Sequence, residues 1–267
     1  MIPYFEIHTL PVGPLTIQVW GLFVSLGLLL AMLLFLRSVR KKVLSKDVAL
    51  DLFLWALVGG LIGARIFYFL FYQNDFSDWF GLFRFWQGGA SSLGAFIGGG
   101  LAVWFWAKRK NFHWAELAPY FDALAAPFWL GWGIGRLGCF LIHDHVGRLS
   151  DFFLAVNFPD AARHDLGLYE ALFVFLLYVA CLPARQACCL LSAWLKNKPG
   201  FLAALSILVY AFARFFLDFL RAADLPQSDP HFFYLTPAQW GMAAVFVILT
   251  MLISRFARSV RKSAGGN

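Results

Sequence analysis

Seven long apolar stretches, separated by short polar ones, commit this chain to lipid before any other feature is considered. They run approximately over 17–37, 49–73, 89–107, 117–142, 169–190, 200–221 and 239–254, the fourth being long and glycine-broken at its outer end. A helix needs about 20 apolar residues to cross the hydrocarbon of a bilayer, where every backbone N–H and C=O must be satisfied within the segment. Composition agrees. Of the residues, 61% are hydrophobic and 14% charged, against roughly 45–50% apolar and about 25% charged in soluble domains. The fold class expected is an all-α integral membrane protein, a seven-span helical bundle forming one polytopic domain over 1–267.

A net charge of +7 would suggest nucleic acid in a soluble chain, but the positions of the cations explain it differently. Arg37, Arg40, Lys41, Lys42 and Lys46 follow the first stretch. Lys108, Arg109 and Lys110 follow the third, and Arg185, Lys196 and Lys198 lie between the fifth and sixth. Arg255, Arg258, Arg261 and Lys262 close the chain. Fifteen of the 22 basic residues therefore share one side, while the opposite loops hold Arg84, Arg148 and Arg163. Excess Lys and Arg mark the cytoplasmic side. The N-terminus is expected outside and the C-terminus in the cytoplasm, with no nucleic acid among the partners. Residues 1–18 lack a positive n-region and a small-residue cleavage site, so the first stretch reads as a span. Of the outer loops, 74–87, 143–167 and 222–237, the second is long enough to cap the bundle. Cys139, Cys181, Cys188 and Cys189 have neither CxxC nor extracellular disulfide spacing, which argues against a disulfide or a cysteine zinc site.

Four arginines remain within or at the ends of apolar stretches: Arg65, Arg136, Arg214 and Arg221. A charge at the centre of a span costs about 2.5–3.5 kcal/mol on insertion scales, so it usually faces a cavity or a partner. Structural pairing is the competing reading, Arg214 with Asp218 and Arg136 with Asp122. Tyr210, Arg214, Asp218 and Arg221 follow spacings of four, four and three, which put them on one helix face. A phenol, two guanidiniums and a carboxylate on one stripe suit a lipid headgroup, because a guanidinium fork matches two phosphate oxygens.

The segment from Gly131 to Arg148 is the densest in chemistry. Its GxGxxG, Gly133 to Gly138, lacks the preceding strand and βαβ unit of a dinucleotide site. The alternative is a thinned, unwound helix end where Gly135 and Gly138 let a headgroup approach backbone N–H groups beside Arg136. His143, Asp144 and His145 follow. Side chains two apart do not share a helix face, which disfavours a metal pair; acid–base work by His143 or His145 with Asp144 competes with an ordinary solvated loop. Gly59, Gly60 and Gly63 precede Arg65 and Tyr68, and Gly88, Gly89, Gly94 and Gly98 surround Ser91 and Ser92. Close helix packing explains these glycines. Arg65, Tyr68 and the paired serines suit a polar cavity instead.

These residues resemble the bacterial prolipoprotein diacylglyceryl transferases over nearly the whole chain. The likeness rests on Gly135-Arg136-Leu137-Gly138 followed by Asp144 and Gly147-Arg148, on Gly63-Ala64-Arg65-Ile66-Phe67-Tyr68, on Trp86-Gln87-Gly88-Gly89, and on the Tyr210/Arg214/Asp218/Arg221 stripe. The resemblance implies a multi-pass enzyme of the bacterial cytoplasmic (inner) membrane, working without a cofactor. It would move the diacylglyceryl group of phosphatidylglycerol onto the lipobox cysteine thiol of a prolipoprotein, with glycerol phosphate leaving and membrane lipids as its surroundings. The nucleophile then belongs to the substrate. Arg136 and Arg214 would hold the phosphate, with Arg65, Tyr68, Ser91, Ser92, Gly135, Gly138, Tyr210, Asp218 and Arg221 around the substrate.

This chain departs from the family's pattern at several places. Leu93 stands where a histidine is common after the GG-x-S segment, Cys139 and Ile142 where asparagines are usual, and Trp20 where a tyrosine is usual. Asp144 and Asp218 replace glutamates. A substitute base is then needed, and His143 or His145 with Asp144 would supply it. The alternatives are a catalytically silent or altered relative that binds an anionic lipid or membrane partner, and a transporter, which would show an internal repeat that the sequence lacks.

Overall fold

The computed structural model describes residues 1–13, 15–72, 89–182, 198–225 and 232–264. Strands β1 (Ile2–Pro3), β2 (Thr9–Val12) and β3 (Leu15–Gln18) open the chain, followed by α1 (Val19–Lys41), α2 (Lys46–Tyr72), α3 (Ser92–Arg109) and α4 (Trp114–Ile142). Strands β4 (Val146–Leu149), β5 (Val156–Asn157) and β6 (Ala162–Asp165) come next. Helices α5 (Leu166–Cys181), α6 (Phe201–Leu217) and α7 (Pro237–Ala264) complete it, with a 3-10 turn over Asp218–Leu220. Each of the seven apolar stretches thus contains a helix among the described residues. Four spans, Val19–Lys41, Lys46–Phe71, Trp114–Ile142 and Phe201–Leu220, are long and apolar enough to cross a membrane. The expected sites at Arg84, Arg185, Cys188, Cys189, Lys196 and Trp86 to Gly88, and the loop 74–87, lie outside the described residues.

Helix ends are set by local chemistry. Ser91 caps α3 by accepting from the Gly94 N–H at 3.4 Å, and Asp165 caps α5 by accepting from the Leu168 N–H at 3.0 Å. Helix α6 starts after Gly200, whose φ of 85° favours glycine, and borrows its cap from α4. Asp122 accepts from the N–H groups of Gly200 at 2.7 Å and Ala203 at 3.0 Å. The helices keep large apolar side chains outward, with Leu26, Leu29 and Leu33 of α1 about half exposed. Such a surface suits acyl chains and would be an aggregation liability in water.

The chain divides into two compact units, Leu36–Tyr120 and Met1–Phe35 with Phe121–Asn267. In the first, α2 and α3 cross on glycines: a Cβ on Gly63 would fall on the Gly94 carbonyl oxygen, and one on Gly98 on that of Gly59. In the second, Gly27 of α1 and Gly131 of α4 approach in the same manner. Trp129, Val174, Leu177, Cys181, Tyr210, Ala211 and Met242 form its apolar core. The 143–167 connection is ordered rather than a bare loop. Its three short strands join β1 in a sheet of order β1-β5-β6-β4, with β1 parallel to β5 and the other pairs antiparallel. The free edge of β4 is closed by the chain leaving α6, through a bridge of Gly147 with Arg221 and the Ala222 N–H to the Val146 carbonyl. A separate β2–β3 hairpin leads into α1.

Candidate functional site

Arg136, seven residues before the end of α4 counting itself, and Arg214 near the end of α6 are both buried. One carboxylate from a third helix holds them. Glu170 of α5 is 1% exposed. Its Oε1 lies 2.9 Å from Arg136 Nε and its Oε2 lies 3.2 Å from Arg214 Nε. Oε1 also accepts from the Tyr210 hydroxyl at 2.5 Å and from Trp132 Nε1 at 3.1 Å. The Trp132 ring lies under the Arg136 guanidinium, 5.1 Å from its centroid. Two hydrogen-bond donors and two guanidiniums in ion-pair contact surround one buried carboxylate and leave no charge unpaired, which is the condition for keeping ions in a low-dielectric interior.

The network continues in both directions. Arg214 Nη1 donates to Asp218 Oδ1 at 2.7 Å, Arg221 Nε lies 3.2 Å from the same oxygen, and the Thr236 hydroxyl donates to Asp218 Oδ2. On the other side, Arg136 Nη1 lies 3.0 Å from His145 Nε2, and His145 Nδ1 lies 2.5 Å from Asp144 Oδ1. A guanidinium can only donate, so Nε2 accepts and the ring proton sits on Nδ1, donated to Asp144. His145 is therefore neutral. Burial lowers its pKa; the bond to Asp144 and its charge raise it, Arg136 and Arg221 lower it, and the balance falls below the ordinary imidazole value. Burial raises the Asp144 pKa, but the hydrogen bond from His145 and the charge of Arg136 outweigh it and bring it below the usual carboxylate range.

The expected pairing of Arg214 with Asp218 is present, whereas that of Arg136 with Asp122 is not: Asp122 caps α6 and Arg136 turns to Glu170. Glu170 is the residue that sequence reasoning missed. It is the single acidic residue in the 169–190 stretch, and that isolation was the available signal. The two histidines separate. His143 is 6% exposed, with Nδ1 2.6 Å from Asp165 Oδ2 and Nε2 2.6 Å from the Phe5 carbonyl, and it stacks on Tyr4. Both of its partners are acceptors, so both nitrogens donate and the ring is an imidazolium. Burial lowers its pKa, but the hydrogen bond and charge of Asp165 and the Phe5 carbonyl outweigh burial and raise it. His143 pins the N-terminal segment and has no nitrogen left for a substrate.

The glycine segment corrects another expectation. Helix α4 stays wound through Ile142, so Gly135 and Gly138 do not open a backbone anion site. A Cβ on Gly138 would sit 2.8 Å from Phe23 Cβ of α1, while one on Gly135 meets Val24 at an ordinary 3.6 Å. The Cys139 thiol lies 3.8 Å from Arg136 Nη1. Thiol, carboxylate and imidazole ligand atoms of Cys139, Asp144 and His145 lie within 4.8 Å of one another. The Arg136 guanidinium, against both the thiol and the imidazole, makes that trio a poor place for a cation.

In the Leu36–Tyr120 unit, Arg65 Nη1 donates to the Gly89 carbonyl at 2.8 Å and its guanidinium lies 5.7 Å from the Tyr68 ring centroid. Gly89 has φ 82°, and a Cβ there would strike the Tyr68 ring. The Ser91 N–H donates to the Ala64 carbonyl at 3.1 Å and its hydroxyl is spent as the α3 cap. Ser92 and Leu93 form the first turn of that helix. Arg65, Tyr68, Gly89 and Ser91 thus make a second, local cluster.

A family model described as prolipoprotein diacylglyceryl transferase matches residues 8–256. A Clostridium perfringens protein named phosphatidylglycerol–prolipoprotein diacylglyceryl transferase 1 is 29% identical, over 95% of this chain and 96% of its own. Proteins named phosphatidylglycerol–prolipoprotein diacylglyceryl transferase from Aeromonas hydrophila and Pseudomonas aeruginosa are 33% and 31% identical. They cover 79% and 89% of this chain and 76% and 88% of their own. With the match running over nearly the full length and through every residue of the Glu170-centred network, this chain belongs to the prolipoprotein diacylglyceryl transferase family.

Proposed function

We propose that this protein transfers the diacylglyceryl group of phosphatidylglycerol to the lipobox cysteine thiol of prolipoproteins, as one polytopic domain of seven spans in the bacterial cytoplasmic membrane. The cations after the first, third, fifth and seventh apolar stretches support an outside N-terminus and a cytoplasmic C-terminus, with 143–167 on the outer side. The observation that carries the reading is the pair of guanidiniums, Arg136 and Arg214, held on one buried carboxylate in a chain of this family. Fixed cations of this kind stabilise charge that develops on a departing phosphate.

In the reaction the substrate thiol attacks the glyceryl carbon, a C–S bond forms, and the C–O bond to phosphate breaks. Glycerol phosphate departs with the bonding electrons. Arg136 and Arg214 hold its oxygens, Tyr210, Asp218 and Arg221 support Arg214 and Glu170, and the Arg65, Tyr68, Ser91 and Ser92 cluster contacts substrate. The thiol's proton passes to His145 Nε2, whose lone pair faces Arg136 while Asp144 steadies the opposite nitrogen. This assigns the base to His145 and leaves His143 structural. Transfer of labelled diacylglycerol from phosphatidylglycerol to a lipobox peptide by the purified protein tests the reading. Arg136→Ala and Arg214→Ala are expected to abolish it. A folded wild-type protein that binds the lipid without transferring would instead make this chain a lipid-binding relative, the outcome that Leu93 favours.

A further inference from the structure

The chain of ion pairs and hydrogen bonds from Asp144 to Arg221 has a charge balance of its own. Its members, in order of contact, are Asp144, His145, Arg136, Glu170, Arg214, Asp218 and Arg221. Three guanidiniums alternate with three carboxylates, and His145 is the member with no net charge. The network is therefore neutral before any ligand enters. A phosphodiester anion placed between Arg136 and Arg214 adds one negative charge to a network in which each guanidinium already faces a carboxylate. Glu170, Asp218 and Arg221 cannot readily supply the compensation, since each already serves a paired or multiply bonded position.

His145 is placed to supply it. Its Nε2 accepts from the guanidinium arm that a phosphate oxygen would engage, 3.0 Å away. When Arg136 Nη1 turns to the phosphate, that lone pair is released beside a new anion. The groups facing the ring are Asp144 on its own turn, Arg136 and Cys139 from α4, and Arg221 from the chain leaving α6. The two guanidiniums oppose protonation while the site is empty, and an anion that occupies them weakens that opposition.

We infer that His145 is the proton partner of the anion site, held neutral by Arg136 in the empty protein and taking up one proton when the phosphodiester of an anionic lipid binds. This rests on the transferase reading and deepens it. A ring that is weakly basic without lipid gains basicity only once phosphate is in place; above its bound pKa it is still neutral and takes the thiol's proton, whereas below that pKa the proton taken up from solvent already fills Nε2 and transfer falls.

The test measures affinity rather than turnover. Binding of short-chain phosphatidylglycerol to the detergent-purified full chain is followed by calorimetry from pH 5 to 9, in buffers of different ionisation enthalpy, with the deacylated phosphodiester headgroup, glycerophosphoglycerol, as a parallel arm. Linkage makes affinity constant at low pH, then lets it fall by up to tenfold per pH unit between the free and the bound His145 pKa, and levels off above. Proton uptake of up to one per lipid is expected within that window. The window opens below the ordinary imidazole value, where the free group titrates. His145→Gln is expected to lose the slope. Asp144→Asn, which removes the partner that raises the pKa, is expected to shift the window to lower pH, a change that a merely structural role would not produce.

Lipid binding by wild type with no pH slope and no proton uptake overturns the inference and leaves the transferase reading standing. A slope that survives unchanged in His145→Gln also overturns it, by assigning the proton elsewhere. Absence of phosphatidylglycerol binding by folded wild type at every pH overturns both. A slope with glycerophosphoglycerol equal to that with lipid identifies the phosphodiester alone as the linked ligand; a slope with lipid only shows that the acyl chains are needed to draw Arg136 across.

Discussion

Replacing Glu170 by glutamine removes one charge from the point where four donors converge. The amide keeps the volume, yet both arginines lose their shared counter-ion. Arg214 retains Asp218, whereas Arg136 retains only the uncharged His145 and Cys139 as polar side-chain partners. Breaking a buried ion pair from one side costs about 3–5 kcal/mol. For a chain of this size each kcal/mol moves the thermal midpoint by about 2–4 °C, so a drop of roughly 6–20 °C is expected. Tyr210→Phe deletes one hydrogen bond to the same carboxylate, worth about 1.5–3 kcal/mol, and should give a smaller drop. Thermal unfolding of the purified proteins in a neutral detergent, followed by tryptophan fluorescence, measures both. The Glu170→Gln network carries a net positive charge, so added short-chain phosphatidylglycerol should recover more of the midpoint in this variant than in wild type. A shift of less than about 2 °C for Glu170→Gln would refute the claim that this carboxylate is the common counter-ion.

Asp122→Ala removes the cap that α4 lends to α6, which should cost about 0.5–2 kcal/mol and appear as faster hydrogen exchange at Gly200 and Ala203. Gly98→Ala puts a methyl onto the Gly59 carbonyl and should lower the thermal midpoint through an overpacking cost of about 1–3 kcal/mol. Gly100→Ala, whose Cβ meets nothing, should be neutral or stabilising. The raised pKa of His143 means that the folded chain holds this proton more tightly than the unfolded one, whose imidazole titrates near about 6.5. Its contribution is complete below that value and is lost as pH rises through the folded pKa. Protection of residues 1–8 from hydrogen exchange should therefore weaken towards alkaline pH, and His143→Phe should abolish the trend.

Local chemistry made some of this legible. Apolar length located all seven α-helices of the described residues, because hydrophobicity is carried by each segment alone. The polar stripe of α6 was readable from spacing, since its members share one helix. Glu170 was not assigned a role because its function comes from arginines on two other helices. The sheet over 143–167 was not foreseen, since its strands have two to four residues and one neighbour, Ile2–Pro3, lies more than 150 residues upstream. His143 and His145 looked equivalent for the same reason. What separates them is Phe5 and Asp165 in one case and Arg136 in the other.

Two of the positions expected to depart from the family's pattern, Cys139 and Asp144, are also not independent in space. The Cys139 sulfur lies within 4.8 Å of the Asp144 carboxylate, Asp144 orients His145, and His145 accepts from Arg136. The pair therefore leads to a guanidinium of the proposed phosphate site. A mutually adapted pair predicts coupling: Cys139→Asn replaces the thiol beside Asp144 with an amide, and Asp144→Glu displaces the carboxylate from His145 Nδ1. Each alone should slow transfer, whereas the double variant, in which an amide meets a longer carboxylate, should lose less than the two single losses combined. Residues in one hydrogen-bond network show coupling of about 0.5–3 kcal/mol, or roughly 2- to 150-fold in rate. Transfer rates for the four proteins of the cycle measure it. Losses that simply multiply would show that Cys139 and Asp144 act separately, and the compensation argued from their contact would fall.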